Sequence, residues 1–88
     1  MVEIKFNLNV ALAIQKGEKF GLIETSDGLP ARIVCTDAKG YRPVIALIMD
    51  SDGKSEFPMQ YTVQGRHDVR DNVTTNVDLH LYEEGGEA

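Results

Sequence analysis

The side chains equipped for chemistry gather in two short stretches. Arg66, His67 and Arg70 fall together in Gly65-Arg66-His67-Asp68-Val69-Arg70. Two guanidiniums this close can fork onto a phosphate or carboxylate, and Gly65 leaves backbone amides approachable. The plainer alternative is a solvated loop in which Asp68 and Asp71 offset the charge, since exposed ion pairs are common and weak. The second stretch, Lys39-Gly40-Tyr41-Arg42, sets an aromatic beside cations, a pattern on which a base can stack. Its plainer alternative is a turn tyrosine covering one end of the fold. The candidate anion ligands are therefore Arg66, Arg70 and His67, followed by Arg32, Arg42 and Tyr41.

Other chemistries find little support. Asp50-x-Asp52-Gly53 opens like a calcium loop, but Lys54, Ser55 and Tyr61 stand where an oxygen ligand, a glycine and a glutamate are required. A hairpin turn accounts for it. Cys35 is the single cysteine, which excludes an internal disulfide and a thiolate zinc cluster. It alternates in phase with Ile33 and is expected to be an inert core thiol rather than a nucleophile beside His67 or His80. His80 is expected to face outward, and two histidines without ligand spacing make no metal site. The chain has no Walker loop, no Gly-x-Ser-x-Gly and no His-Glu-x-x-His. The expectation is a non-enzymatic protein with no cofactor and no metal.

The scaffold that must position these groups is small. With 88 residues, 42% hydrophobic and 26% charged, the chain is one globular domain with a thin core that self-association would help. Its net charge is −5, from 14 acidic and 9 basic residues. Three of the acids lie in the final segment, residues 83–88, so residues 1–82 carry 11 acids against 9 bases, a net −2. A near-neutral body with an acidic tail lacks the cationic field that direct nucleic-acid binding needs. The longest apolar run, Val44 to Met49, is six residues, far short of the roughly 20 of a membrane helix. No signal-peptide pattern opens the chain, and the lack of disulfides suits a reducing compartment, so cytoplasmic residence is expected.

Turn signals recur at Gly28, Gly40, Gly53 and Gly65, at spacings of 12, 13 and 12 residues, each in a polar cluster. Short apolar runs between such turns read as an antiparallel β meander. Val2, Ile4 and Phe6 alternate as a first strand, and Leu8 to Lys16 switches to helical spacing, with Asn7 or Asn9 as cap and Gly17 as stop. Strands follow over Lys19–Thr25, Leu29–Thr36, Arg42–Met49 and Ser55–Val63. His67 to Asn76 reads as an exposed loop. Val77 to Tyr82 closes the domain, with Val77, Leu79 and Leu81 inward and Asp78, His80 and Tyr82 outward. Five or six strands and one N-terminal helix predict a mainly β fold, a small SH3-like antiparallel barrel, with an OB-like barrel as runner-up. The strand from Arg42 is apolar on both faces, so Ile45, Leu47 and Met49 are expected to contact a second copy in a homo-oligomer.

Several runs carry a resemblance: Asp27-Gly28-Leu29-Pro30-Ala31-Arg32-Ile33-Val34-Cys35-Thr36-Asp37, Pro43-Val44-Ile45-Ala46-Leu47-Ile48, Tyr61-Thr62-Val63-Gln64-Gly65-Arg66 and Asp78-Leu79-His80-Leu81. Together they resemble a group of small uncharacterised proteins of phages, prophages and mobile elements of gut bacteria. The likeness spans most of residues 8–82, and departs at Asn9 and Gln15, where more charged helix residues are expected. It implies a phage or mobile-element origin and transfers no activity or site residue. The resulting expectation is an accessory binding protein that sequesters an anionic small molecule, such as a nucleotide signal of host defence, or that binds a host protein. The alternatives are an acidic mimic of nucleic acid, acting through Glu83, Glu84 and Glu87, and a structural virion component.

Overall fold

The computed structural model describes residues 1–70 and 73–84. Six strands and one helix follow in the order β1 (Val2–Ile4), α1 (Leu8–Gln15), β2 (Gly21–Thr25), β3 (Ala31–Cys35), β4 (Val44–Met49), β5 (Glu56–Tyr61) and β6 (Leu79–Glu83). The fold is mainly β, with two antiparallel three-stranded sheets ordered β1-β6-β2 and β3-β4-β5. No described helix is long and apolar enough to cross a membrane.

Local chemistry fixes the helix at both ends. Asn7 has extended backbone, and its Oδ1 accepts from the Val10 amide at 3.1 Å, which satisfies one of the orphan donors of the first turn. At the other end the Gly17 amide donates to Ile14 O and the Glu18 amide to Ala13 O. That pair of bonds is a Schellman closure, and Gly17 supplies the left-handed residue it needs, at φ 83°.

β4 organises its sheet. Val44, Ala46 and Ile48 are wholly buried, while Ile45, Leu47 and Met49, on the opposite face, are half-buried. Burying a Val or Ile side chain contributes about 1.5–3 kcal/mol, so the inner face alone commits this strand to the core. The outer face receives cover from within the chain. Arg32 on β3 forks onto Glu56 on β5, with Nε–Oε2 at 2.9 Å and Nη2–Oε1 at 3.0 Å. Because β4 lies between those strands, and Arg32 pairs with Leu47 and Glu56 with Met49, the fork crosses above β4. Its aliphatic stems shield that face while the charged heads remain wet.

The two sheets meet at one isolated bridge, Glu24 with Pro30. Two features limit their pairing. Pro30 brings no amide donor to the ladder. Beyond it, Ile33 bonds to the helix instead of β2: its amide donates to Gln15 Oε1 and its carbonyl accepts from Gln15 Nε2, both at 2.6 Å. The Gln15 side chain thus stands in for a neighbouring strand at this edge.

A bulge corrects one expectation. Ile33 pairs with Ala46 but Cys35 pairs with Ile45, so one extra residue enters β3 between them. The slip moves Cys35 from the Ile33 face to the Ile45 face. Cys35 is half-buried there, not a core thiol, and its Sγ donates to Asp37 Oδ1 at 3.3 Å. The expected exterior place of Asp78 is also corrected, since β6 begins at Leu79, two residues after the expected Val77, and Asp78 is buried at 5% exposure. Glu83, expected in the acidic tail, ends β6 and lies 3.5 Å from Lys19 Nζ. Glu84 follows as exposed coil, and residues 85–88 lie outside the described residues.

Gly65 gives a direct test of the packing around the turn after β5. It has φ 79°, and a Cβ added there would lie 2.8 Å from the Phe6 ring. Gly28, at φ 85°, has open space around it. Gly28→Ala therefore carries only the backbone cost, about 1–2 kcal/mol. Gly65→Ala adds the overlap with Phe6, a further ~1–3 kcal/mol, read as the difference between the two denaturation midpoints.

Candidate functional site

One open cleft of about 480 Å³ lies where β1 runs into residues 5–6 and faces the loops that precede β6. Ile4, Phe6 and Leu79 give it an apolar floor; Lys5, Gln64, Arg66, Thr74 and Asn76 supply polar rim groups. Ser26, His80 and Glu3 line one side.

Asp78 builds the far wall. Its Oδ1 accepts from the His67 amide at 2.9 Å and from Thr75 Oγ1 at 2.8 Å, and its Oδ2 accepts from the Thr75 amide at 3.0 Å. A buried carboxylate is tolerated when donors surround it in this way. Backbone bonds extend the clasp: Thr62 N to Arg66 O, Leu79 N to Gly65 O and Ser26 N to Asp78 O. Tyr61 fastens the same region from below, its hydroxyl donating to Val77 O at 2.6 Å. Burial, and secondarily the Asp78 charge, push the Tyr61 phenol well above its ordinary pKa, so it remains a donor. The described residues of the stretch before β6 form a loop, exposed at Val69, Arg70, Thr74 and Asn76 and tied to Asp78 at the half-buried His67 and Thr75; residues 71–72 lie outside the described part.

The expected anion ligands do not converge. Arg66 lines the cleft, where its Nη1 donates to Val73 O at 3.4 Å. Arg70 turns back onto Asp68, with Nε–Oδ1 at 3.0 Å and Nη2–Oδ2 at 2.7 Å. Asp71, the other acid expected to offset this pair of arginines, is outside the described residues. Arg32 is held by Glu56, away from the cleft. Arg42 reaches His67 O at 3.4 Å. His67 donates from Nδ1 to Gln60 O at 2.9 Å and sets its ring edge-on to Tyr61 at 6.1 Å. Tyr41 is 87% exposed, so it covers no end of the fold. The Asp50–Ser55 segment is a hairpin turn, with the Asp50 amide donating to Ser55 O and the Gly53 amide to Asp50 O. Among the described residues no group of three or more His, Cys, Asp or Glu side chains is placed to hold a metal.

Sequence reading missed one constellation. His80 Nδ1 lies 2.6 Å from Glu3 Oε2, and His80 Nε2 lies 2.8 Å from Ser26 Oγ. Sheet register produces it. Glu3 pairs with Tyr82, two residues along β6 from His80, and Glu24 pairs with His80, two residues before Ser26. All three side chains therefore share the outer face of the first sheet as diagonal neighbours. The outward alternation of Glu3 and His80 was the only available signal, since the contacts span 77 and 54 residues.

No known protein family, curated protein or solved structure matches this chain.

Two measurements check this site. Asp78→Ala leaves two amides and a hydroxyl without their acceptor, and is expected to cost roughly 2–4 kcal/mol. For a domain of this size the loss lowers the melting temperature by about 10–20 °C. The second concerns Asp68, whose carboxyl is held well below the usual range by the Arg70 side chain and then by the Arg70 amide. A depressed folded-state pKa means the pair's contribution is complete above the ordinary carboxylate range and fades as pH falls through the depressed value. Arg70→Ala is expected to move the Asp68 titration upward, followed by carboxyl NMR shifts.

Proposed function

We propose that the chain is a small binding protein that takes an anionic small molecule, of the nucleotide or phosphate class, in the cleft beside β6. Arg66 is the anchor. The observation that supports this reading is the division of labour among the arginines. Arg32 and Arg70 are forked onto Glu56 and Asp68, whereas Arg66 faces the cleft and makes one long bond to a backbone carbonyl. A guanidinium placed so keeps most of its donors for a ligand. Lys5 on the same rim adds a second positive charge, and the apolar floor of Ile4, Phe6 and Leu79 suits a ring or chain attached to the anion.

The resemblance to phage and mobile-element proteins supports a sequestering role, in which the chain lowers the free concentration of a host metabolite. The fold belongs to the same proposal as an opened SH3-like barrel. Support comes from the return of β6 to lie between β1 and β2, and from the β3-β4-β5 meander that follows.

Calorimetric titration with AMP and with inorganic pyrophosphate tests the anchor. Losing a charge-assisted hydrogen bond costs about 1.5–3 kcal/mol, so Arg66→Ala is expected to weaken binding by roughly 10- to 100-fold. Arg70→Ala is expected to leave it unchanged. Equal affinity in wild type and Arg66→Ala, or no binding of either probe, contradicts the assignment.

A further inference from the structure

In the Glu3–His80–Ser26 chain the two partners select the tautomer of a neutral His80. An ionised carboxylate only accepts, so the 2.6 Å contact to Glu3 Oε2 places the hydrogen on His80 Nδ1. In the neutral ring Nε2 is then an acceptor, and the Ser26 hydroxyl 2.8 Å away donates to it. This is the arrangement in which a serine acts as nucleophile: a hydroxyl on a base, and the base oriented by a carboxylate. Exposure fits as well. Ser26 is on the surface, and the His80 side chain is one-third exposed, at 33%. All three groups border the same cleft, so a bound molecule can reach Oγ.

From this geometry we infer that Ser26 is an acyl-accepting nucleophile toward small activated esters, with His80 as its general base and Glu3 as the positioning residue. The inference goes beyond anion binding and does not depend on Arg66 as a charge anchor. In the first step Oγ bonds to the ester carbonyl carbon and its proton passes to His80 Nε2. The carbon–oxygen bond to the leaving group then breaks, and that oxygen takes the proton from Nε2. An acyl-Ser26 ester and an alcohol result. In the second step water adds to the acyl carbon and gives its proton to Nε2. The carbon–Oγ bond breaks, Oγ recovers the proton, and a carboxylic acid leaves. Glu3 faces the Nδ1 hydrogen throughout, and Glu24, directly opposite His80 on β2, is the nearest further acid by register.

The amides at the nucleophile are already engaged. Ser26 N donates to Asp78 O at 3.0 Å and Asp27 N to Asn76 O at 3.2 Å. The developing oxyanion must therefore be met by rim side chains, among which Gln64 and Asn76 carry donors. Such a site favours activated esters over amides, and acylation over fast turnover.

Incubation of the intact chain with an alkyl fluorophosphonate tests this. Oγ bonds to phosphorus, fluoride leaves, and His80 takes the hydroxyl proton. The expected result is one adduct per chain, mapped by peptide mass spectrometry to Ser26 and absent from Ser26→Ala. His80→Ala is expected to slow labelling on the order of 100-fold, the usual scale of a general base. With p-nitrophenyl acetate, Glu3→Gln is expected to lower kcat with KM unchanged, and Glu3→Asp to restore part of it. Circular dichroism of each variant establishes that the sheet is intact; a variant that loses it is replaced by His80→Gln or Ser26→Gly, with the same expectations. Labelling spread equally over the exposed Ser51 and Ser55, no adduct on folded wild type, or undiminished labelling in the His80 variant overturns the inference. None of these outcomes bears on phosphate binding by Arg66, so failure here is distinguishable from failure of the binding proposal.

Discussion

A buried carboxylate is the constraint on which the functional end of this protein depends. Asp78 sits at 5% exposure and gathers three donors from two loop segments. An acid placed so is costly to bury alone and is retained only when its donors are held in position. The reverse also holds: the donors stay in place because the acid is there. Through this exchange the stretch carrying Gln64 and Arg66 and the stretch carrying Thr75 and Asn76 become walls of a cleft. The backbone of Asp78 reaches the other way, to the Ser26 amide, and ties the β2–β3 turn to the same wall.

The hydrophobic part of the molecule sets the frame for that end without forming it. β4 fills the second sheet with Val44, Ala46 and Ile48, and β6 fills the first with Leu79 and Leu81. Where the sheets separate, α1 supplies an amide side chain, Gln15, that satisfies both backbone groups of Ile33. A polar helix residue thereby does work that a strand would do in a closed sheet, and the first sheet keeps its own outer face. Glu3, His80 and Ser26 occupy that face.

Much of this was legible in the residues. The helix stop followed from Gly17 and its start was narrowed to Asn7 or Asn9, of which Asn7 is the cap, because capping is a local interaction that a sequence displays directly. Both faces of β4 followed from its alternation. The failures share a cause. Cys35 changed face because a single inserted residue reverses alternation, and no side chain announces a bulge. Asp78 was misplaced because it lies just ahead of β6, where the period of two does not yet apply. Arg66 and Arg70 looked like one fork because they are close in the chain, but Arg70 has a nearer partner in Asp68, while Arg66 lines the cleft and bonds to Val73 O. The Glu3–His80–Ser26 chain required knowing that β6 returns between β1 and β2, which periodicity does not disclose.

The cleft exists in solution only if Asp78 structures the polar segments before β6. Amide hydrogen exchange of the intact chain, resolved residue by residue, examines this most directly. The amides of His67 and Thr75 donate to the Asp78 carboxylate, and they are predicted to exchange with protection comparable to the amides of β4. Exchange of both at the rate of an unstructured chain, while β4 stays protected, would contradict the claim that this carboxylate builds the cleft.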